Sequence, residues 1–190
     1  MLRVVGQLGQ TYIVAEGPEG LYLIDQHAAH ERVLFEQLQA GLAGSRPASQ
    51  ALLEPAAVTL TPDLEALVAE QRETLAGLGF VVEPFGNATV LLRAVPSMLR
   101  TADPAQALLA ILDEAAEGGE PLAREREARL IASVCKQAAV KAGQVLSQPE
   151  MQELVHQLEA SSAPRTCPHG RPTMIHLSAV MLEREFGRRG

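Results

Sequence analysis

From Arg3 to Asp25 the chain is rich in β-branched, aromatic and leucine residues, and Gly17-Pro-Glu-Gly20 interrupts that run with turn formers. The pattern predicts a hairpin ending in Leu21-Tyr-Leu-Ile-Asp25. A helix is expected directly afterwards. Leu34, Leu38 and Leu42 recur at fours, the spacing of one helical face, until Gly41 and Gly44 stop it. Ser45-Arg-Pro-Ala-Ser-Gln50 is a loop of turn formers and the expected subdomain boundary.

A second unit runs from about Ala56 to Gly119. Thr61-Pro62 supplies a capping hydroxyl and a proline for the first helical position, and Leu64, Leu67, Val68, Leu75 and Leu78 form one face as far as Gly79. Phe80-Val-Val-Glu and Thr89-Val-Leu-Leu flank Gly86-Asn87 as a hairpin, and Ala105 to Ala116 reads as a helix closed by Gly118-Gly119. Past Pro121 a helical stripe of Leu130, Ile131, Val134, Cys135, Ala138 and Ala142 reaches Gly143. Ser147-Gln-Pro-Glu150 has capping-box spacing and opens a helix through Leu154, Val155 and Leu158. A proline-rich loop from Ala163 to Pro172 precedes a short strand, Met174-Ile-His-Leu, and a last helix ending near Phe186. No internal repeat is visible. The expected class is α+β, an α/β two-subdomain arrangement in which a middle segment is inserted between the two ends.

Composition narrows the chemistry. With 190 residues, 47% of them hydrophobic and 21% charged, the chain can bury a proper core. No run of 18 apolar residues exists, and the strand-like N-terminus does not read as a targeting segment, so no membrane partner and a cytoplasmic location are expected. Two cysteines, Cys135 and Cys167, are too few for a disulfide framework and leave packing, metal or catalysis as their uses. A net charge of −7 argues against tight stand-alone binding of duplex DNA, which depends on neutralising phosphates. Basic residues do gather late in the chain, at Arg165, Arg171, Arg184, Arg188 and Arg189.

Two constellations carry candidate chemistry. In Asp25-Gln-His27-Ala-Ala-His30-Glu31-Arg-Val-Leu-Phe-Glu36, His27 and Glu31 stand four apart where strand gives way to helix, so their side chains share a face and can share a metal. His30, three from His27 and about a sixth of a turn off that face, is a weaker candidate. The plain alternative makes Asp25 a helix N-cap and the others solvated polar residues. The order H-x-x-H-E excludes the zinc-protease arrangement, which needs H-E-x-x-H or H-x-x-E-H. In Thr166-Cys167-Pro168-His169-Gly170-Arg171-Pro172, a thiol and an imidazole two apart in a proline-stiffened loop suit zinc, and Arg171 beside them suits a phosphate. Cys135 is either a further ligand or a small buried hydrophobe of its helix.

These residues carry a resemblance. Asp25 to Glu36 fits D-Q-H-A-x-x-E-x-x-x-x-E, the signature of the endonuclease-proficient C-terminal domains of the MutL family. Ser133-Val-Cys135-Lys136 looks like that family's A-C-[RK] motif with Ser-Val in place of its Ala; Cys167-Pro-His169-Gly-Arg-Pro172 matches C-P-H-G-R-P, and Phe186-Gly-Arg188 matches the terminal F-x-R. The four motifs are in the expected order and span nearly the whole chain.

The resemblance implies a dimerisation and endonuclease subdomain from residues 1–55 with 120–190, and an external, regulatory subdomain at 56–119. It implies metal-dependent nicking of duplex DNA, with Asp25 and Glu31 as catalytic carboxylates, Arg171 and Arg188 facing the phosphate, and manganese (Mn2+) as activating ion. His27, Glu31, Cys135, Cys167 and His169 would bind zinc (Zn2+), whereas Glu36 is left open between ligand and supporting carboxylate. The family's N-terminal ATPase domain is absent from this chain, which reads as an isolated domain. Expected partners are a second copy, in a homodimer, and a MutS-type mismatch sensor acting through the full-length protein. The replication sliding clamp is expected too, because Gln50-Ala-Leu-Leu53-Glu-Pro55 resembles the family's clamp-docking motif, with Gln50, Leu53 and Pro55 as its contacts. The rival reading for the whole chain is a zinc-stapled dimerisation module without chemistry, and for the docking motif a plain linker.

Overall fold

In the computed structural model, which describes residues 1–44, 48–117, 123–140 and 144–188, Gly9 and Gln10 both take left-handed backbone angles (φ 58 and 55). They form a tight turn that divides the expected first strand into β1 (Arg3–Leu8) and β2 (Tyr12–Gly17). β3 (Gly20–Asp25) completes an antiparallel meander, and α1 (Gln26–Gly44) starts at the next residue. Three strands stand where a simple hairpin was expected, because a glycine lets the chain reverse inside an otherwise strand-forming run.

β4 (Ser49–Thr59), α2 (Pro62–Glu70), α3 (Arg72–Gly77), β5 (Val81–Gly86), β6 (Thr89–Pro96), α4 (Pro104–Ala116) and α5 (Ala123–Ala138) follow. β6 is central in a three-stranded antiparallel sheet, with β4 and β5 at its edges. Thr61 caps α2 through its hydroxyl, and Asp103 caps α4 by accepting from the Gln106 N–H, each with proline just inside the helix. Leu64, Leu75, Phe80, Leu92, Leu108, Ile111 and Leu130 are buried.

α6 (Gln148–Ala160) opens on the expected capping box, Ser147 and Glu150 each accepting from the other's backbone N–H. β7 (Met174–Ser178) then adds to β3, giving a four-stranded sheet in the order β1-β2-β3-β7, and α7 (Ala179–Glu185) follows. Gly20 lies against β7 so closely that a Cβ there would sit 2.3 Å from the Leu177 carbonyl oxygen. One face of this sheet buries Val4, Ile13, Ala15 and Ile24 with Leu154, Val155 and Leu158 of α6. On the other face Val14, Leu23 and Ile175 line up across three strands, and Ile175 is 59% exposed. α6 also covers the free edge of β1: Gln152 accepts from the Val4 N–H and donates to the Leu2 carbonyl, and Gln148 donates to the Val4 carbonyl.

The fold is α+β, and the described chain divides into two compact units, Met1–Glu36 with Ala139–Gly190 and Gln37–Ala138. The expected boundaries at 55/56 and 119/120 fall inside the middle unit. β4 pairs with β6 from Ser49 onward, and α5 packs on α4, so both belong with the middle segment. Ser45 to Pro47, the Gly118-Gly119 stop, Pro121, Ala142, Gly143 and Arg189 lie outside the described residues. Among the described residues, no helix is long and apolar enough to cross a membrane.

Candidate metal and catalytic centre

The junction between β3 and α1 fixes the first half of the site. Asp25 Oδ1 accepts from the N–H groups of His27 (2.9 Å) and Ala28 (3.0 Å), so Asp25 is the N-cap of α1. Its own N–H donates to the Thr173 carbonyl at 2.9 Å, which ties the start of the helix to the end of the proline-rich loop. Gln26 is wholly buried: its Oε1 accepts from Gln7 Nε2 (2.6 Å), and its Nε2 donates to the carbonyls of Gln10 (2.9 Å) and Gln144 (3.1 Å). One turn of helix then places His27 and Glu31 side by side, His27 Nε2 3.0 Å from Glu31 Oε1.

The second half comes from the loop before β7. Cys167 N–H donates to the Arg171 carbonyl (2.8 Å) and Gly170 N–H to the Cys167 carbonyl (3.0 Å), with Gly170 at φ 81 where a side chain would be strained. This tight turn projects Cys167 and His169 toward Glu31. Ligand atoms of Glu31, Cys167 and His169 all lie within 4.8 Å of one another. His169 Nδ1 is 3.3 Å from Glu31 Oε2, and Arg171 Nη2 is 3.3 Å from both Glu31 oxygens.

Glu31 and Cys167 are buried, and Cys167 is a free thiol. Burial alone would push the Glu31 carboxyl up, yet the His27 hydrogen bond and the positive charge of His27, His169 and Arg171 hold its pKa at about 2. The bond to Glu31 raises His27 above the ordinary histidine value against its burial. Burial disfavours the charged Arg171, but Glu31, Cys167 and Asp25 reverse that and raise its pKa. A carboxylate, a thiol and an imidazole converge in this way, with the His27 imidazole against the carboxylate, and these are donor types of zinc, whose tetrahedral ligands stand about 3.3–3.8 Å apart. The residues therefore fit such an ion.

His27 and His30 have different duties. His27 Nδ1–H donates to the Val140 carbonyl, which leaves Nε2 facing Glu31, whereas His30 Nδ1 accepts from the Val140 N–H. Burial, and then the charge of His27, lower the pKa of His30. His30 is thus a neutral acceptor that holds backbone.

Cys135 belongs to the middle unit, wholly buried on α5. Arg188 is exposed beyond α7 with its N–H on the Glu183 carbonyl, and among the described residues its side chain makes no hydrogen bond or ion pair with the cluster. Gln50, Leu53 and Pro55 are in strand β4 rather than a loop, but the pairing with β6 is interrupted between Ala51 and Ala56, and Leu53 is fully exposed there. Sequence reasoning missed Gln26 and Arg32, whose Nε donates to the Thr166 carbonyl at 2.6 Å. Nothing local distinguishes either from a solvated residue of a helix's first turns.

The model of the MutL C-terminal dimerisation domain matches residues 5–146. The chain is 42% identical over 191 residues to DNA mismatch repair protein MutL of Symbiobacterium thermophilum, covering 98% of this chain and 30% of that protein. It is 42% identical over 184 residues to the protein of the same name from Phenylobacterium zucineum (96% and 30%) and 39% over 187 residues to that of Clostridium acetobutylicum (98% and 30%). The chain thus spans about three tenths of the length of these relatives.

Proposed function

The chain belongs to the family of MutL C-terminal dimerisation domains, and from that premise we propose that it is the metal-dependent DNA-nicking domain of a mismatch-repair protein, active as a homodimer. The observation that carries this reading is the convergence of Glu31, Cys167 and His169 on one point, with His27 against Glu31 and Asp25 capping the helix that bears both.

His27, Glu31, Cys167 and His169 would hold zinc, and Cys135 is retained as a further ligand on its motif alone. A divalent ion generates hydroxide at neutral pH and stabilises the charge of the phosphorane oxygens, the role assigned to zinc together with activating manganese. The protein's own part is positional. Asp25, with Oδ1 committed to α1, orients water through its carboxylate. Arg171 binds Glu31 while its side chain is still 54% exposed, so its guanidinium can take a phosphate oxygen without leaving the cluster. Arg188 supplies a second positive charge to the backbone. The proton that His27 Nε2 directs at the Glu31 carboxylate would be displaced by a cation bound there.

The open row of Val14, Leu23 and Ile175 is the proposed homodimer surface. Duplex DNA would be held weakly by an acidic chain, and docking of Gln50, Leu53 and Pro55 on the sliding clamp would raise its local concentration. A MutS-type sensor would act through the full-length protein, and residues 56–119 would have a regulatory role. One observation favours the rival reading of a zinc-stapled dimerisation module: Asp25 already has a structural task as N-cap. Nicking of supercoiled plasmid with manganese decides. Product that disappears with Asp25→Asn supports the nuclease, and wild-type protein that holds zinc but never nicks supports the module.

A further inference from the structure

Glu36, five residues past Glu31 on α1, is turned about 140° away around the helix and faces the chain just after α6. Its carboxylate accepts from the Ser162 N–H (2.8 and 2.9 Å), the Ser162 hydroxyl (2.8 Å) and the Ala163 N–H (3.3 Å). One turn earlier, Arg32 donates from Nε to the Thr166 carbonyl, and its Nη1 lies 3.8 Å from Glu36. Arg32 is held over the Phe35 ring, 5.6 Å from its centroid.

These contacts meet a loop that is already braced internally. Besides the Cys167 turn, Thr173 N–H donates to the Arg165 carbonyl (3.1 Å), the Thr173 hydroxyl donates to the Pro164 carbonyl, and Thr166 bridges to Pro172. A segment so braced moves as one piece. Its ligands then reach Glu31 correctly only if the piece is mounted correctly on α1. The downstream leg is fixed by the Asp25 N–H on Thr173, and the upstream leg by Glu36 and Arg32.

We propose that Glu36 and Arg32 are positioning residues, mounting the Cys167–His169 loop on α1 and setting its distance from Glu31. The proposal rests on the reading that Glu31, Cys167 and His169 hold a divalent ion. Metal sites tolerate displacements of only about 0.2 Å, and supporting residues of this type change metal affinity by roughly 10–100-fold.

The test is titration of the whole 190-residue chain with cobalt(II), read by thiolate-to-cobalt charge-transfer absorption, and then zinc competition. Wild type, Glu36→Ala and Glu36→Gln are compared, with the metal-free melt of each. Glu36→Ala should lose roughly 10–100-fold in affinity and show a weakened band. Glu36→Gln, which keeps an oxygen acceptor, should recover most of both. Should Glu36→Ala not fold, Ser162→Ala removes only the hydroxyl donor and should still weaken binding severalfold. Wild-type affinity and band in the folded alanine variants overturn the positioning role alone. Absence of a charge-transfer band in the wild type overturns the metal reading, and the positioning role with it.

Discussion

His27 and Val140 are joined by a 2.9 Å hydrogen bond from the imidazole Nδ1–H to the carbonyl oxygen, and Val140 gives its own N–H to His30 at 2.9 Å. One backbone residue thus turns two histidines to different uses. His30→Ala should leave zinc content unchanged while costing about 1–3 kcal/mol in stability, because the Val140 N–H loses its acceptor. His27→Ala should lose bound zinc. Metal analysis of purified protein beside thermal melts checks both, and zinc loss from His30→Ala would contradict the division.

Asp25 caps α1 as well as being the proposed catalytic carboxylate, and two substitutions separate these roles. Asparagine caps a helix about as well as aspartate, so Asp25→Asn should melt near wild type and retain zinc but fail to nick DNA with manganese. Asp25→Ala should also lose roughly 1 kcal/mol of stability. Full nicking by the asparagine variant would remove Asp25 from the reaction.

The metal-free domain should show a pH window of its own. Glu31 has its pKa depressed from 4.5 to about 2, so its contribution, roughly 3 kcal/mol, is present above 4.5 and lost as pH falls toward 2. His27 has its pKa raised from 6.5, so its contribution is complete below 6.5 and lost as pH rises through the folded value. Stability from this pair should therefore peak between about 4.5 and 6.5, and Glu31→Gln should flatten it in denaturant melts. Zinc loading should run the other way above that window, since the ion competes with the His27 proton.

Ile175→Arg puts a charge at the β7 end of the row that Ile175 forms with Leu23 and Val14. Light scattering at micromolar concentration should give a dimer for wild type and a monomer for this variant, with little change in the melt of the monomeric unit. A wild-type monomer would refute the interface.

Leu53 is fully exposed where β4 leaves its partner, so Gln50→Ala, Leu53→Ala and Pro55→Ala together should keep the fold and the zinc. Nicking stimulated by added sliding clamp should fall to the unstimulated rate. Equal stimulation of wild type and triple variant would make the segment a strand edge and no more.

The parts of this site legible in sequence are those set by short-range geometry. His27 and Glu31 at one helical turn, Cys167 and His169 across a proline-stiffened turn, and the Ser147 box all depend on spacing. The rest depends on distant partners. Glu36 is defined by Ser162, 126 residues away, and Gln26 by a carbonyl at Gln144, neither of which a local pattern contains. The Gly9-Gln10 reversal was hidden because only one of its two residues is a turn former. The placement of α5 with the middle unit follows from its packing on α4, which helical periodicity alone does not assign.

The glutamines of α6 that occupy the edge of β1 have a further consequence during synthesis. Val4 and the Gln152 that covers it are 148 residues apart, so at about 5–20 residues per second a ribosome needs roughly 7–30 s between making the strand and making its cover. Throughout that interval the outer side of β1 is a bare template for strand addition between nascent chains. Neighbouring nascent chains on one polysome therefore meet while this edge is still open, and the finished fold closes it with Gln148 and Gln152.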